Sequence, residues 1–377
     1  MQTVHRLFFR DSRSMDILED QSIDLVVTSP PYPMIGMWDS AFSAMNPEIG
    51  PDLAGGRGWD AYERMHGVLD TVWQGVCRVL KPGGFACINI GDAVRKVGDD
   101  FCLYPNHSRV IRAFLENGLS PLPAVIWRKQ TNAPNKFMGS GMLPAGAYVT
   151  LEHEYVLIFR KGGKRAFQTP EARLRRQKSA IFWEERNQWF SDIWFDLKGA
   201  RQQLFNDKLR KRSGAYPFEL PYRLINMYSV MGDHVLDPFA GMGTTVFAAM
   251  AAGRNSTGFE IEPGFYPEIE NKAANAVEFA NMVVRDRIRR HLAFAGQREA
   301  LQGPLKYRNE PHGFAVMTRQ EKQLQLHFLK DVENPEPGRF AVNYQPAEAA
   351  DAAPGQNADA AGVHEAGQQS LFGDFRP

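Results

Sequence analysis

The stretch that most limits what this chain can become is 234–260, where strand, glycine turn, helix and strand follow one another almost without joints. His234-Val235-Leu236 reads as the first strand and runs into Asp237-Pro238-Phe239-Ala240-Gly241-Met242-Gly243-Thr244-Thr245; a helix, Val246 to Ala252, begins immediately after. Asn255-Ser256-Thr257-Gly258-Phe259-Glu260 reads as the second strand. A glycine turn between a strand and a helix N-terminus lets a ligand approach the backbone and presents free N–H groups to an anion. Glu260 ends the second strand where an acid can accept from both hydroxyls of a ribose. A nicotinamide dinucleotide is disfavoured, because the third glycine of Gly-x-Gly-x-x-Gly falls, counting from Gly241, on Val246. Alone, such a turn is a weak signal.

A second motif stands about two hundred residues upstream. Ile23-Asp24-Leu25-Val26-Val27 is an apolar run bounded by polar residues, a buried strand that ends in Thr28-Ser29-Pro30-Pro31-Tyr32. Two consecutive prolines remove two backbone donors and fix the chain direction, so the carbonyls of Ser29 and Pro30 cannot enter a sheet ladder. A rigid pair of acceptors, a hydroxyl and an aromatic face suit a flat heterocycle carrying an amino group, with Tyr32 stacked on its ring. Read by itself, the same segment could be a rigid turn.

Together the two motifs resemble the β-group of DNA amino-methyltransferases, in which the catalytic motif precedes the recognition region and the cofactor motif comes last. The resemblance covers roughly residues 4 to 280. It implies an α/β, Rossmann-like S-adenosylmethionine-dependent methyltransferase fold: a mostly parallel seven-stranded sheet with an antiparallel hairpin strand, circularly permuted motifs and an inserted target-recognition region. It implies Ser29, Pro30, Pro31 and Tyr32 as catalytic residues acting on a base flipped from double-stranded DNA. Asp237, Phe239, Ala240, Gly241, Gly243, Thr244 and Glu260 would hold S-adenosyl-L-methionine, the turn taking its methionine carboxylate. Asp11, after a first strand at 4–9, would touch the adenine, although Arg10 stands where the family has glycine. Pro217 in Tyr216-Pro217-Phe218-Glu219-Leu220-Pro221 would contact the methionine moiety, with Tyr216 replacing the usual histidine. No metal and no covalent intermediate is required. Serine at 29, where adenine-methylating relatives usually carry aspartate or asparagine, favours cytosine N4 over adenine N6; a DNA-binding pseudoenzyme that uses the pocket only as a sensor is a third reading.

The rest of the chain sorts around these motifs. Pro33 to Trp59 is too long for a passive structureless link and reads as a mobile flap over the base pocket. A helix over Tyr62 to Leu80 ends at Lys81-Pro82-Gly83-Gly84, followed by a strand Phe85-Ala86-Cys87-Ile88-Asn89-Ile90. Ser108 to Asn117 reads as a helix; Ala124 to Lys129 and Glu154 to Phe159 read as hairpin strands, with a loop near Gly139-Ser140-Gly141 beside the base. Cys77, Cys87 and Cys102 lack metal-ligand spacing and read as reduced thiols.

The net charge of +1 averages two opposed regions: Arg160 to Arg212 holds 15 Lys/Arg against 6 Asp/Glu, and Asp331 to Pro377 holds 8 acids against 2 arginines. The basic part, with Trp183, Trp189 and Trp194 as a small core of its own, reads as the DNA-reading insertion. The expected organisation is a catalytic half 1–161, a recognition insertion 162–214, a cofactor half 215–302, an extension 303–345 and a flexible tail 346–377. A helix from Pro267 to about Ala300 would turn Arg285, Arg287, Arg289 and Arg290 to solvent. In the tail, Gln368-Gln369-Ser370-Leu371-Phe372 resembles the short motif by which bacterial replication proteins dock on the sliding clamp; a functionless end is the plain alternative. A cognate restriction endonuclease acting separately is a further expected partner. No apolar run reaches a membrane span and no signal peptide is visible, so the expected location is cytoplasmic, on the nucleoid.

Overall fold

The computed structural model describes residues 1–129, 138–139, 143–197 and 216–347. Its strands are β1 (Gln2–Phe9), β2 (Ile23–Thr28), β3 (Leu80–Ile90), β4 (Ala93–Val97), β5 (Asp100–Tyr104), β6 (Leu119–Arg128), β7 (Met138–Gly139) and β8 (Ala147–Tyr148). They continue as β9 (His153–Lys161), β10 (Ile193–Trp194), β11 (His234–Asp237), β12 (Asn255–Glu260), β13 (Tyr307–Arg308), β14 (Ala315–Val316), β15 (His327–Glu336) and β16 (Arg339–Pro346). Ten of them form one sheet in the order β10-β6-β9-β3-β2-β11-β12-β1-β16-β15. Inside it lies the expected seven-stranded frame, β6 to β1, with β3, β2, β11, β12 and β1 parallel and β9 antiparallel to both neighbours. Three strands are additional: β10 on one edge, and the β15–β16 hairpin, which pairs antiparallel with β1, on the other.

The middle of the sheet is dry on both faces. β2 is buried at every position, as a parallel strand covered by helices must be. Helices Gly58–Val79 and Asn106–Glu116 cover one face with Trp73 and Phe114; helices Glu219–Tyr228, Thr244–Ala251 and Ala276–Gln302 cover the other. Strand β3 begins at Leu80, so Pro82-Gly83-Gly84 does not separate helix from strand as expected. It is a bulge inside the strand, with Leu80 facing Ile23 and Phe85 facing Leu25. Gly83 has φ +82, and a Cβ at Gly84 would lie 2.8 Å from the Asp24 carbonyl oxygen, which is why both positions are glycine.

Several expectations are corrected by packing. The segment after Tyr32, expected as a mobile flap, is anchored to the core: Asp39–Met45 and Ile49–Ala54 are helices that bury Phe42 and Ile49 completely, and Arg95 grips Asp39 through two 2.7 Å bonds. The helix expected from Pro267 breaks at Asn275 into Tyr266–Ala274 and Ala276–Gln302. Arg287 on the second piece is buried, not solvated, and donates to both carboxylate oxygens of Glu185 at 2.7 Å and to the Tyr222 hydroxyl at 2.9 Å. Nor do the tryptophans build a core of their own. Trp194, on β10 beside Trp127, joins the main core, and Phe182 packs with Val284, Ile288 and the 303–347 residues.

The basic segment is divided between the two ends of the sheet. Arg165 pairs with Asp233 and Asp24, at the N-terminal ends of β11 and β2, and the Met231 N–H donates to Ser179 at 2.8 Å. The helix Pro170–Lys178, with no buried residue and Arg173, Arg175 and Arg176 exposed, is therefore held at the end opposite Ser29. β10 then runs back parallel to β6, delivering Leu197 to the end of the sheet where Ser29 stands. The expected basic residues from Lys198 to Arg212, the loop residues Ser140 and Gly141 and the clamp-like Gln368–Phe372 lie outside the described residues. Pro346 closes β16, and Ala347 is buried and donates to Leu326, so the fold extends to the first residues of the expected tail. Among the described residues Cys77, Cys87 and Cys102 are free, and no helix is long and apolar enough to cross a membrane.

Candidate active site

The C-terminal ends of β2, β3 and β11 and the start of antiparallel β9 meet at one place, and Thr28 to Tyr32 leaves β2 there. Ser29 Oγ donates to the Tyr32 hydroxyl at 3.1 Å, and that hydroxyl donates to Glu154 Oε2 at 2.9 Å. Asn89 Nδ2 donates to the Tyr32 oxygen at 2.8 Å and to Glu154 Oε2 at 2.7 Å, while Lys129 pairs with Glu154 Oε1. Burial first, then the Glu154 carboxylate, pushes the Tyr32 phenol well above its ordinary value, so its proton stays in place. Gly91 allows this close packing: a Cβ there would lie 3.0 Å from Tyr32 Cε2 and 3.3 Å from Glu154 Cγ. Asn106, fully buried, donates from Nδ2 to the Pro33 carbonyl at 3.0 Å and the Gly91 carbonyl at 2.9 Å, fixing the end of the proline turn to the end of β3.

Beside it lies the glycine turn. Gly241 (φ +51) and Gly243 (φ +76) take left-handed conformations, and Gly243 is the N-cap of helix Thr244–Ala251. Open space borders Gly241, where an added Cβ would meet nothing within 4 Å, so a ligand can reach the backbone. Glu260 Oε2 accepts from the Gly241 N–H and Oε1 from the Glu262 N–H, both at 2.8 Å, and burial raises its carboxyl above the ordinary range. Asp11 follows β1, whose Phe9 is in register with Glu260. Burial pushes the Asp11 carboxyl up, but hydrogen bonds from Arg13 outweigh it and hold it below the usual value. The Pro217 carbonyl accepts the N–H of Leu220, Ala240 N–H donates to Phe259 O at 2.8 Å, and Phe239 packs edge-on against Trp73. The open space at Gly241, the Glu260 carboxylate at a strand end and the apolar Phe239 beside Trp73 are groups that fit S-adenosyl-L-methionine.

Asp237 joins the two motifs. Its Oδ1 accepts from Thr28 Oγ1 at 2.5 Å and from the Phe239 N–H at 3.0 Å; its Oδ2 accepts from Thr245 Oγ1 at 2.6 Å and the Tyr216 hydroxyl at 3.3 Å. Both oxygens are thus committed to the protein. The structure brings together Ser29, Tyr32, Asp237, Gly241, Gly243, Thr244 and Glu260, with Pro30 and Pro31 forming the turn between. Sequence reasoning missed Asn89, Glu154 and Lys129 as members of the group. A signal existed for the first alone, the single polar residue in the run Phe85-Ala86-Cys87-Ile88-Asn89-Ile90.

Comparison with known proteins agrees with this geometry. A family model described as DNA methylase, of the N6/N4 type, matches residues 23–271. The type II methyltransferase M.MthZI of Methanothermobacter thermautotrophicus is 52% identical over 346 residues, covering 92% of this chain and 96% of that protein. The type II methyltransferase M.MjaI of Methanocaldococcus jannaschii is 49% identical over 287 residues, covering 72% of this chain and 91% of the relative. A Thermus thermophilus protein described as a putative DNA modification methylase, crystallised with S-adenosyl-L-methionine, superposes with a TM-score of 0.56 at 32% identity, covering 72% of this chain and 94% of its own.

Proposed function

The chain belongs to the DNA amino-methyltransferases, with S-adenosyl-L-methionine as methyl donor, and on that premise we propose that it methylates the exocyclic N4 amine of a cytosine flipped from double-stranded DNA. The observation that carries the reading is the state of Ser29. Its only hydrogen is given to Tyr32, so its oxygen offers lone pairs alone to a substrate. An exocyclic amine is a poor nucleophile because its lone pair is delocalised into the ring; acceptors for its hydrogens return density to nitrogen. Ser29 Oγ and the Pro30 carbonyl would be those acceptors, and the anchored Tyr32 would hold the ring.

Bound S-adenosyl-L-methionine supplies a sulfonium methyl group, held by Glu260, Asp11, Pro217 and the turn from Phe239 to Thr244. What the protein adds is position: the Asp237 clasp sets the spacing between the base site and the cofactor cradle, where in-line geometry decides the rate. Site recognition is assigned to the basic insertion 162–214, of which Lys198 to Arg212 lie outside the described residues. A separate restriction endonuclease fits the type II character of the relatives, and docking of Gln368–Phe372 on a sliding clamp can be read by fluorescence polarisation with a 364–377 peptide. The reading itself is tested by single-molecule sequencing and nucleoside mass spectrometry of DNA from an expressing host. N4-methylcytosine in one sequence context is expected, and N6-methyladenine in its place overturns the base assignment.

A further inference from the structure

We propose that Glu154 is the terminal proton acceptor of a relay running from the target amine through Ser29 and Tyr32. The inference rests on the reading that Ser29 faces the amine. The direction of the relay follows from the donor inventory. Glu154 is acceptor only, and the Asn89 amide nitrogen is donor only, so the Tyr32 hydrogen must go to Glu154 and the Tyr32 oxygen must receive from Ser29 and Asn89. Reversing the Asn89 amide would set its oxygen against the carboxylate. The orientation is kept although, among the described residues, Asn89 Oδ1 is left buried without a partner, a costly arrangement unless its nitrogen is needed where it is.

The relay answers a requirement of the chemistry. As the nitrogen–carbon bond forms, the carbon–sulfur bond breaks with its electron pair left on sulfur, and the methylated nitrogen carries a positive charge and one surplus proton. That proton passes to Ser29 Oγ, the Ser29 hydrogen passes to the Tyr32 oxygen, and the Tyr32 hydrogen passes to Glu154. Charge and proton count balance, and no free tyrosinate is required at any stage, which matters because burial makes Tyr32 hard to ionise. The charged and titratable groups around the relay's end are Lys129, the residue after β6, Tyr32 itself and, on the Tyr32 side, Tyr216. Lys129 pairs with Glu154 Oε1, the oxygen opposite the one that faces Tyr32. A relay of this kind places Glu154 one step beyond the groups that touch the base; it is a positioning and proton-accepting residue.

The test is the single-turnover rate of methyl transfer from tritiated S-adenosyl-L-methionine to unmodified DNA of a host lacking the enzyme, measured across pH in the full chain and in Glu154→Gln, Tyr32→Phe and Ser29→Ala. Glu154→Gln keeps an acceptor for Tyr32 but cannot take its proton. Both Glu154→Gln and Tyr32→Phe should slow transfer about 100-fold, and both should lose the acid-side fall in rate that the wild-type carboxylate imposes. The double variant should be no slower than either single one, since one broken link disables the chain. Calorimetric cofactor affinity equal to wild type shows that each variant is folded. Near wild-type rates in Glu154→Gln and Tyr32→Phe, or slowed rates with the acid limb intact, overturn the relay when Ser29→Ala is inactive. If Ser29→Ala is also fully active, it is the assignment of the base site that fails.

Discussion

Asp237 offers the sharpest test of how the two motifs are joined, because its two simplest replacements should behave very differently. In Asp237→Ala the Thr28 hydroxyl and the Phe239 N–H lose their acceptor in the interior. Thr245 retains a long contact to the Val27 carbonyl at 3.4 Å, and Tyr216 keeps Thr245. Two stranded buried donors and a small void cost about 3–6 kcal/mol. In Asp237→Asn the oxygen that serves Thr28 and Phe239 survives, and the Thr245 hydroxyl can turn to Val27 and accept from the new amide; this costs about 1 kcal/mol. A further term offsets that loss. Burial raises the Asp237 carboxyl, so the native state binds its proton more tightly than the unfolded chain. The resulting penalty is full above the native value and vanishes as pH falls through it to the unfolded one. Asparagine, being neutral, escapes that penalty. At about 1.4 °C per kcal/mol for a fold of this length, calorimetric melting at neutral pH should fall by roughly 4–8 °C in Asp237→Ala and by only about 1 °C in Asp237→Asn, with cofactor affinity in Asp237→Asn within about 10-fold of wild type, or 1.4 kcal/mol. A normal melting temperature combined with a larger loss of affinity in Asp237→Asn would mean that the carboxylate binds the cofactor directly, and the clasp would be refuted.

Three further outcomes follow from other contacts. Removing one partner of the buried Arg287–Glu185 pair, as in Arg287→Met, should destabilise by about 3–5 kcal/mol, whereas Arg287→Met with Glu185→Leu should recover most of it; equal melting losses in the single and double variants would contradict this. Gly241→Val should weaken cofactor binding at least 10-fold, or about 1.4 kcal/mol, by filling the open cradle and straining φ +51; unchanged calorimetric affinity removes the turn from the pocket. Because burial raises the Glu260 carboxyl, its ionised, accepting form is lost at a higher pH than for an ordinary glutamate. Cofactor affinity should therefore fall as pH drops into the acid range, earlier than an ordinary glutamate would impose, in wild type but stay flat in Glu260→Gln, as titration calorimetry can show.

How far the sequence could be read depended on where each segment finds its stability. Asn255–Glu260 and His234–Asp237 were legible nearly to the residue, because short buried strands between turn residues have few alternatives. The 33–59 cover was not. Its helices of seven and six residues are too short to hold alone and exist because Phe42 and Ile49 enter the core and Asp52 accepts from Arg57 and Arg64. Arg287 looks like its solvent-facing neighbours in a charged helix until Glu185, 102 residues away, is placed against it. The proline turn at 28–32 and the glycine turn at 237–245 were visible as motifs, but Glu154 and Asn89 gain meaning only once β9 and β3 lie antiparallel and bring both to Tyr32.

The pairing of β2 with β11, Leu25 against Val235, also has a consequence for the order of synthesis. Roughly 200 residues separate the two walls of the site, and at about 5–20 residues per second the second wall leaves the ribosome about 10–40 s after the first. The outer edge of β1 waits longer still, for β16 at the far end of the chain. A nascent or truncated polypeptide lacking β11 and β12 therefore carries Ser29 and Tyr32 without the glycine turn beside them, and the two halves of the site meet only when translation is nearly finished.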